Sequence, residues 1–182
     1  LAEVCNTTIA LLKDENADIK DTLIAPDFAG GGIILYDESD IDGVYNTGGG
    51  SIKVRSKWNY VKEDNVIEIT EIPPTTTVEA TIDKVADLVK QGKIKEINDV
   101  RDETDLNGLK LTFDLKRGQD PEKFMRKLFR STPLEDNFSA NFNILIGGSP
   151  RVMGIREILT EWTAYRMGCV KRRLYFDLKG KK

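Results

Sequence analysis

Ile97-Asn-Asp-Val-Arg-Asp-Glu-Thr-Asp-Leu-Asn-Gly108 is the stretch from which the fold is read, because it packs turn-forming residues between two runs of strand character. Before it, Ile94, Ile97 and Val100 form a short apolar run. After it, Leu109, Leu111, Phe113 and Leu115 alternate with Lys110, Thr112, Asp114 and Lys116, the period of two that marks a half-buried strand. Asn107 and Gly108 both tolerate the positive φ of a tight reversal, so the segment predicts a β-hairpin. A helical pattern flanks the hairpin on each side, and a strand-like segment lies beyond each helix. The expected class is therefore α+β: mainly antiparallel sheet with a β-α-β-β-α-β core packed by helices, followed by a long C-terminal helix.

On the N-terminal side of the hairpin, Val66, Ile67, Ile69 and Ile72 read as a strand stopped by Pro73-Pro74. Thr76-x-x-Glu79 fits a capping box, and Ile82, Val85, Ala86 and Val89 give the inward stripe of the helix it starts, which Gly92 ends. On the C-terminal side, Asp120 as N-cap and Pro121 at the first helical position open a helix with Phe124, Met125, Leu128 and Phe129 inward. Phe142, Ile144 and Ile146 read as the last strand of the repeat, turned back by Gly147-Gly-Ser-Pro150 through Arg151-Val-Met153. From Ile155 the chain becomes one long helix, with Ile155, Leu159, Trp162, Val170, Leu174 and Leu178 along a stripe still open at Lys182. An open stripe of that length points to one strand of a coiled coil rather than to a helix folded back on the sheet.

Further out, Leu1, Val4, Cys5, Ile9 and Leu12 recur at helical spacing, and Ile19, Leu23 and Ile24 make a second short turn before Pro26. Gly30-Gly-Gly32 precedes a strand, Ile33 to Tyr36, rather than following one, so it points to a close backbone approach and not to a phosphate-binding loop. Past the second glycine loop, Thr47 to Ser51, the chain alternates again. Ile52, Val54, Trp58 and Tyr60 fall near one face, with Lys53, Arg55 and Lys57 on the other. Successive cations on one strand face stand roughly 7 Å apart, close to the phosphate spacing along a DNA strand, which makes these three the candidate nucleic-acid contacts. An edge strand guarded by cations against aggregation produces the same pattern.

The 182 residues suffice for one sizeable domain with an appended element, and no apolar run approaches the roughly 20 residues of a membrane helix. A cytoplasmic location is expected. The chain starts at Leu1 without a methionine and stops in a basic helical run, as a piece of a longer chain would. Net charge is −3, but residues 1–50 hold ten acids against Lys13 and Lys20, whereas residues 151–182 hold nine cations against three acids. Two cysteines, Cys5 and Cys169, make neither a disulfide framework nor a metal site. There is no histidine, which excludes a histidine triad, a histidine general base and histidine-ligated zinc. The carboxylates of Asp37 to Asp42 lack the glycine and closing glutamate of a calcium loop, and those of Arg101 to Asp105 are placed to bond a turn backbone.

Asp99-Val-Arg-Asp-Glu-Thr-Asp105 followed by Gly108 resembles the acidic hairpin motif of the A subunits of bacterial gyrase and topoisomerase IV. Further motifs follow in the family's order: Pro26-Asp-Phe with Gly31-Gly-Ile-Ile34, Thr47-Gly-Gly-Gly50, Thr70-Glu-Ile-Pro73, Pro150-Arg-Val152 and Arg156-Glu-Ile-Leu159. The resemblance implies a helical lead-in from the winged-helix region at 1–25, a tower-like α+β domain at 26–153, and the start of a coiled-coil arm at 154–182. It also implies double-stranded DNA as partner, contacted here through Lys53, Arg55, Lys57 and Arg151. The full enzyme would contain a second A subunit together with the topoisomerase B subunit, through which magnesium and ATP would be used.

In that family the nucleophile is a tyrosine directly after an arginine, and no such pair exists here; Tyr165-Arg166 is the reverse order. The segment alone is therefore expected to be catalytically silent and monomeric. Gly49 stands where the family carries a loop arginine, Pro74 where it carries a tyrosine, and Thr77-Val78 where it carries Asn-Lys, departures that suggest a divergent paralogue. An RNA-binding or small-ligand regulatory module on the same β-α-β-β-α-β superfold is the competing reading. It fits less well, because Phe113, Phe124 and Phe142 fall on the inward side of their patterns, away from any base-stacking surface.

Overall fold

In a computed structural model, residues 1–181 are described, so Lys182 of the basic C-terminal run lies outside them. In chain order the elements are α1 (Ala2–Lys13), β1 (Ile33–Ile34), α2 (Glu38–Thr47), β2 (Gly49–Arg55), β3 (Lys57–Val61), β4 (Val66–Glu71), α3 (Val78–Lys90), β5 (Ile97–Asp102), β6 (Leu111–Leu115), α4 (Pro121–Ser131), β7 (Glu135–Asn141), β8 (Asn143–Ile146), β9 (Ser149–Val152) and α5 (Ile155–Gly180). They divide into two units, one of Asp27–Asp37 with Ser51–Ser139, the other of Leu1–Pro26, Glu38–Gly50 and Ala140–Lys182.

The first unit is built on a four-stranded sheet in the order β3-β4-β6-β5, antiparallel throughout. The hairpin of β5 and β6 forms as the alternation requires, pairing Val100 with Phe113 and Arg101 with Thr112. Its tip closes on an Asp105–Gly108 bridge, and Gly108 alone takes the positive φ, 138°. On one face of the sheet, α3 and α4 bury a common core with Ile67, Ile69, Leu111 and Phe113 from the strands and Val85, Leu88, Phe124, Met125 and Leu128 from the helices. The Phe113 and Phe124 rings meet edge-on at 6.0 Å, a preferred aromatic geometry.

The order β-α-β-β-α-β runs as β4-α3-β5-β6-α4-β7, but the last strand leaves this sheet for a three-stranded one ordered β1-β2-β7. That strand is Glu135–Asn141, not the run at Phe142, Ile144 and Ile146. Ile144 and Ile146 belong instead to β8, paired with β9 in a separate hairpin. Apolar content misled here: β7 carries only Phe138 and Ala140 as apolar residues and is half exposed, whereas β8 is apolar and only partly covered.

Two further expectations need correction. The cap of α3 is Thr77, whose hydroxyl accepts from Ala80 N at 3.2 Å, and not the Thr76-x-x-Glu79 box. With the helix starting one residue later, its buried stripe is Val78, Thr81, Val85 and Leu88, and Val89 is exposed. Thr81 can be buried because its hydroxyl donates to the carbonyl of Thr77 at 2.9 Å. The other error is the single strand read through residues 52–60. The chain breaks at Ser56, which separates β2 from β3 and places them in different sheets.

In the second unit, α2 buries Ile41, Val44 and Tyr45. Gly154 and Gly48 let the backbones of Asn46 and Met153 approach so closely that a Cβ at either glycine would overlap main-chain atoms. Lys20 ties the 3-10 turn Ile19–Asp21 to α2 through Glu38 at 2.7 Å and Asp42 at 3.0 Å. Those carboxylates hold its ammonium well above the ordinary lysine range. Of α1 only Thr7 and Thr8 are buried, while Leu1, Ile9 and Leu12 face outward.

Candidate functional site

Lys53 and Arg55 lie on the outward side of β2, alternating with the buried Ile52 and Val54. Lys53 is exposed, and no side-chain partner meets its ammonium among the described residues. Arg55 is committed: its guanidinium reaches Glu135 at 2.6 and 2.7 Å and lies over the Phe129 ring, 4.6 Å from the centroid. Lys57 belongs to β3 and binds Glu71 at 3.1 Å. Arg151 is exposed on β9, in the other unit, opposite Ile144. The structure thus keeps Lys53 and Arg55 on one strand face and moves Lys57 to another sheet, and of these four candidates Lys53 and Arg151 keep uncommitted charge among the described residues.

Glu71, which takes up Lys57, also accepts the backbone N–H of Gly32 at 2.6 Å. Gly31 has φ 74°, and a Cβ there would run into the Glu71 carboxylate. Gly31 and Gly32 therefore serve a close approach to an acid, and the Gly32 N–H is taken up by a carboxylate of the protein itself. The Gly32 N–H first, and the Lys57 ammonium second, hold the Glu71 carboxyl below its ordinary value.

The acidic hairpin is likewise occupied with its own structure. Arg101 bridges Asp99, Glu103 and Asp114 at 3.3, 3.2 and 2.6 Å, and Lys110 joins Glu103 to Glu68 at 3.2 and 2.8 Å. Asp102 accepts from Thr104 N and Asp105 from Asn107 N, as turn aspartates do. Among the described residues no group of three or more acids or thiols converges on a metal position.

One set of cations escaped the strand-based reading. Lys123, Arg126 and Arg130 stand exposed on the outer face of α4, and no side-chain partner meets them among the described residues. Their signal was in the sequence, as basic residues spaced three, four and seven apart opposite the Phe124, Met125 and Leu128 stripe.

A family model describing the A subunit of DNA gyrase/topoisomerase IV matches residues 1–182. The chain belongs to this family. The DNA gyrase A subunit of Borreliella burgdorferi is 36% identical over 185 residues, covering 98% of this chain and 23% of its own length. The chloroplastic/mitochondrial DNA gyrase A subunit of Arabidopsis thaliana is 36% identical over 186 residues, with 98% and 20% covered. The DNA gyrase A subunit of Ureaplasma parvum is 37% identical over 185 residues, with 98% and 22% covered. The chain spans about a fifth to a quarter of the length of these curated relatives.

The structure gives several of the short motifs a physical role. Glycines of the first glycine motif approach Glu71 of Thr70-Glu-Ile-Pro73, so the two motifs form one contact. Arg156 of the last motif donates to the carbonyls of Glu15 and of Ala17, the latter at 2.7 Å, and so fixes the start of α5 to the segment after α1. No described helix is long and apolar enough to cross a membrane.

Proposed function

We propose that this chain is the non-catalytic, DNA-supporting portion of the A subunit of an ATP-dependent type II DNA topoisomerase. In this reading residues 1–25 lead in, 26–153 support the gated duplex, and 154–182 begin the coiled-coil arm to which movement of the gate is passed. The observation that carries it is the family match over residues 1–182. The sequence has no tyrosine directly after an arginine, so the nucleophile of strand cleavage is supplied from elsewhere in the parent protein. Magnesium and ATP enter through a partner B subunit, the enzyme is completed by a second A subunit, and the whole works in the cytoplasm.

What this chain's own residues contribute is phosphate contact without base readout, as an enzyme acting on many sequences requires. Lys53 and Arg151 offer free charge for that purpose. Arg55 and Lys57 contact phosphate only by sharing their charge with Glu135 and Glu71, so their part in counterion release is smaller than their number suggests. Two measurements test the proposal. Incubation with supercoiled plasmid and magnesium yields no covalent adduct, and fluorescence anisotropy with duplexes of unrelated sequence yields equal, salt-sensitive binding. A covalent adduct, or strong preference for one sequence, sinks it.

A further inference from the structure

The distribution of free charge in the first unit does not follow the strand face that the sequence suggests. It turns from β2 onto α4. Arg55, stacked on Phe129, forms one wall of a cavity of about 480 Å³ whose other walls include Trp58, Arg126, Arg130 and Glu135. Beyond Arg126 and Arg130, on the opposite flank of α4, a second cavity of about 550 Å³ is lined by Lys123, Lys127 and Glu96 among others. The two arginines therefore form a ridge between two hollows.

Three physical points favour a polyanion on this ridge. First, residues 116–131 carry six cations (Lys116, Arg117, Lys123, Arg126, Lys127, Arg130) against Asp120 and Glu122, in a chain whose net charge is −3. Like charges gather against the overall balance, which raises the local field for an anion. Second, most of this charge is unspent. Lys127 is held by Glu96 at 2.5 Å, but Lys123, Arg126 and Arg130 have no carboxylate within reach among the described residues. Third, the spacing is regular on a rigid element. Four helical residues rise about 6 Å, so Arg126 and Arg130 repeat at roughly the axial advance of two phosphates of one DNA strand. The hollows themselves are poor phosphate sites, because Glu122 and Glu135 line one and Glu96 and Asp120 the other. The phosphates belong on the ridge.

We propose that the outer face of α4, through Lys123, Arg126 and Arg130, is a backbone-contact surface for duplex DNA, continuous with Lys53 and Arg55 on β2 and independent of Lys57. This rests on the reading of the chain as a DNA-supporting segment and adds the residues that carry the load. Guanidinium groups suit the role, since their planar fork engages phosphate oxygens in pairs.

The test uses the 182-residue chain and a fluorescein-labelled 30-base-pair duplex, titrated between 50 and 200 mM salt. Arg126→Gln with Arg130→Gln makes the log–log salt slope shallower by about 1.8, so the loss of affinity across that fourfold salt range shrinks by a factor of about 12. Lys57→Gln, whose charge Glu71 already shares, changes the slope much less than the double glutamine variant does, and Arg126→Lys with Arg130→Lys retains it. Circular dichroism melts confirm that each variant folds. Wild-type binding with an unaltered slope in the double glutamine variant overturns the α4 surface and leaves the DNA-supporting reading standing. Absence of duplex binding by the wild type at 50 mM salt overturns both. Tighter binding of a single strand than of the duplex overturns the assignment to duplex.

Discussion

Glu71 is the residue on which the glycine loop and the start of β3 converge, because one carboxylate accepts the Gly32 N–H at 2.6 Å and the Lys57 ammonium at 3.1 Å. Both interactions favour the ionised form, so its folded-state pKa lies below the ordinary 4.5. A depressed carboxylate adds stability that is fully present above its unfolded pKa and is lost as pH falls through the lowered folded value. Glu71→Gln is therefore expected to cost about 1 kcal/mol at pH 7, discounted for partial exposure, and progressively less below pH 4.5. Urea unfolding at pH 7 and pH 3.5 measures this, and an equal cost at both values contradicts the charge-based account. Gly49 poses the opposite question. The sequence resemblance places a family arginine at this position; here its φ is not positive and the nearest atom to an added Cβ is the Ala140 carbonyl oxygen at 3.9 Å. Space for the side chain remains, so Gly49→Arg folds normally. If the DNA-supporting reading holds, it steepens the salt slope of duplex binding by about 0.9. A melting temperature lowered by more than a few degrees shows that the glycine is structurally required.

At the scale of elements, the cap of α3 separates what periodicity can resolve from what it cannot. The helix was legible, but Thr76 and Thr77 are adjacent potential caps, and only Thr77 has its hydroxyl on Ala80 N. Thr77→Ala costs about 1 kcal/mol, whereas Thr76→Ala is nearly neutral. Equal losses in thermal unfolding would show that the cap is shared. The hairpin and α4 were read correctly because their signals are local: Asn107-Gly108 at the reversal, Asp120-Pro121 at the helix start. The break at Ser56 was hidden, because alternation of buried and exposed residues continues through it. Ser56 is fully buried, its N–H donates to Leu134 O at 2.8 Å, and β3 begins at the next residue. Only a long-range partner, invisible to a window of about ten residues, turns one alternating run into two strands. That same break divided the candidate cations, so the site was legible as a set of charges but not as a surface.

At the scale of the whole molecule, α5 places little of its 26-residue length in the core. Its apolar residues do not form one buried stripe: Leu159 is buried, whereas Trp162, Leu174, Tyr175, Phe176 and Leu178 are all more than half exposed. Helices of this kind owe little stability to the chain they extend from, since packed area and not propensity holds a helix in place. Two opposite outcomes follow. Leu159→Ala removes a side chain that is packed, and costs about 2–3 kcal/mol in denaturant unfolding. Leu174→Ser with Phe176→Ser removes side chains that touch mostly solvent, and leaves the free energy of unfolding within about 0.5 kcal/mol of its starting value. The same double variant reports on assembly. The chain is expected to be monomeric at low micromolar concentration in light scattering, with weak self-association at higher concentration driven by the exposed side chains of α5. Serine at positions 174 and 176 abolishes that association. A dimer stable at micromolar concentration and indifferent to both substitutions places the self-interaction surface outside the second half of α5.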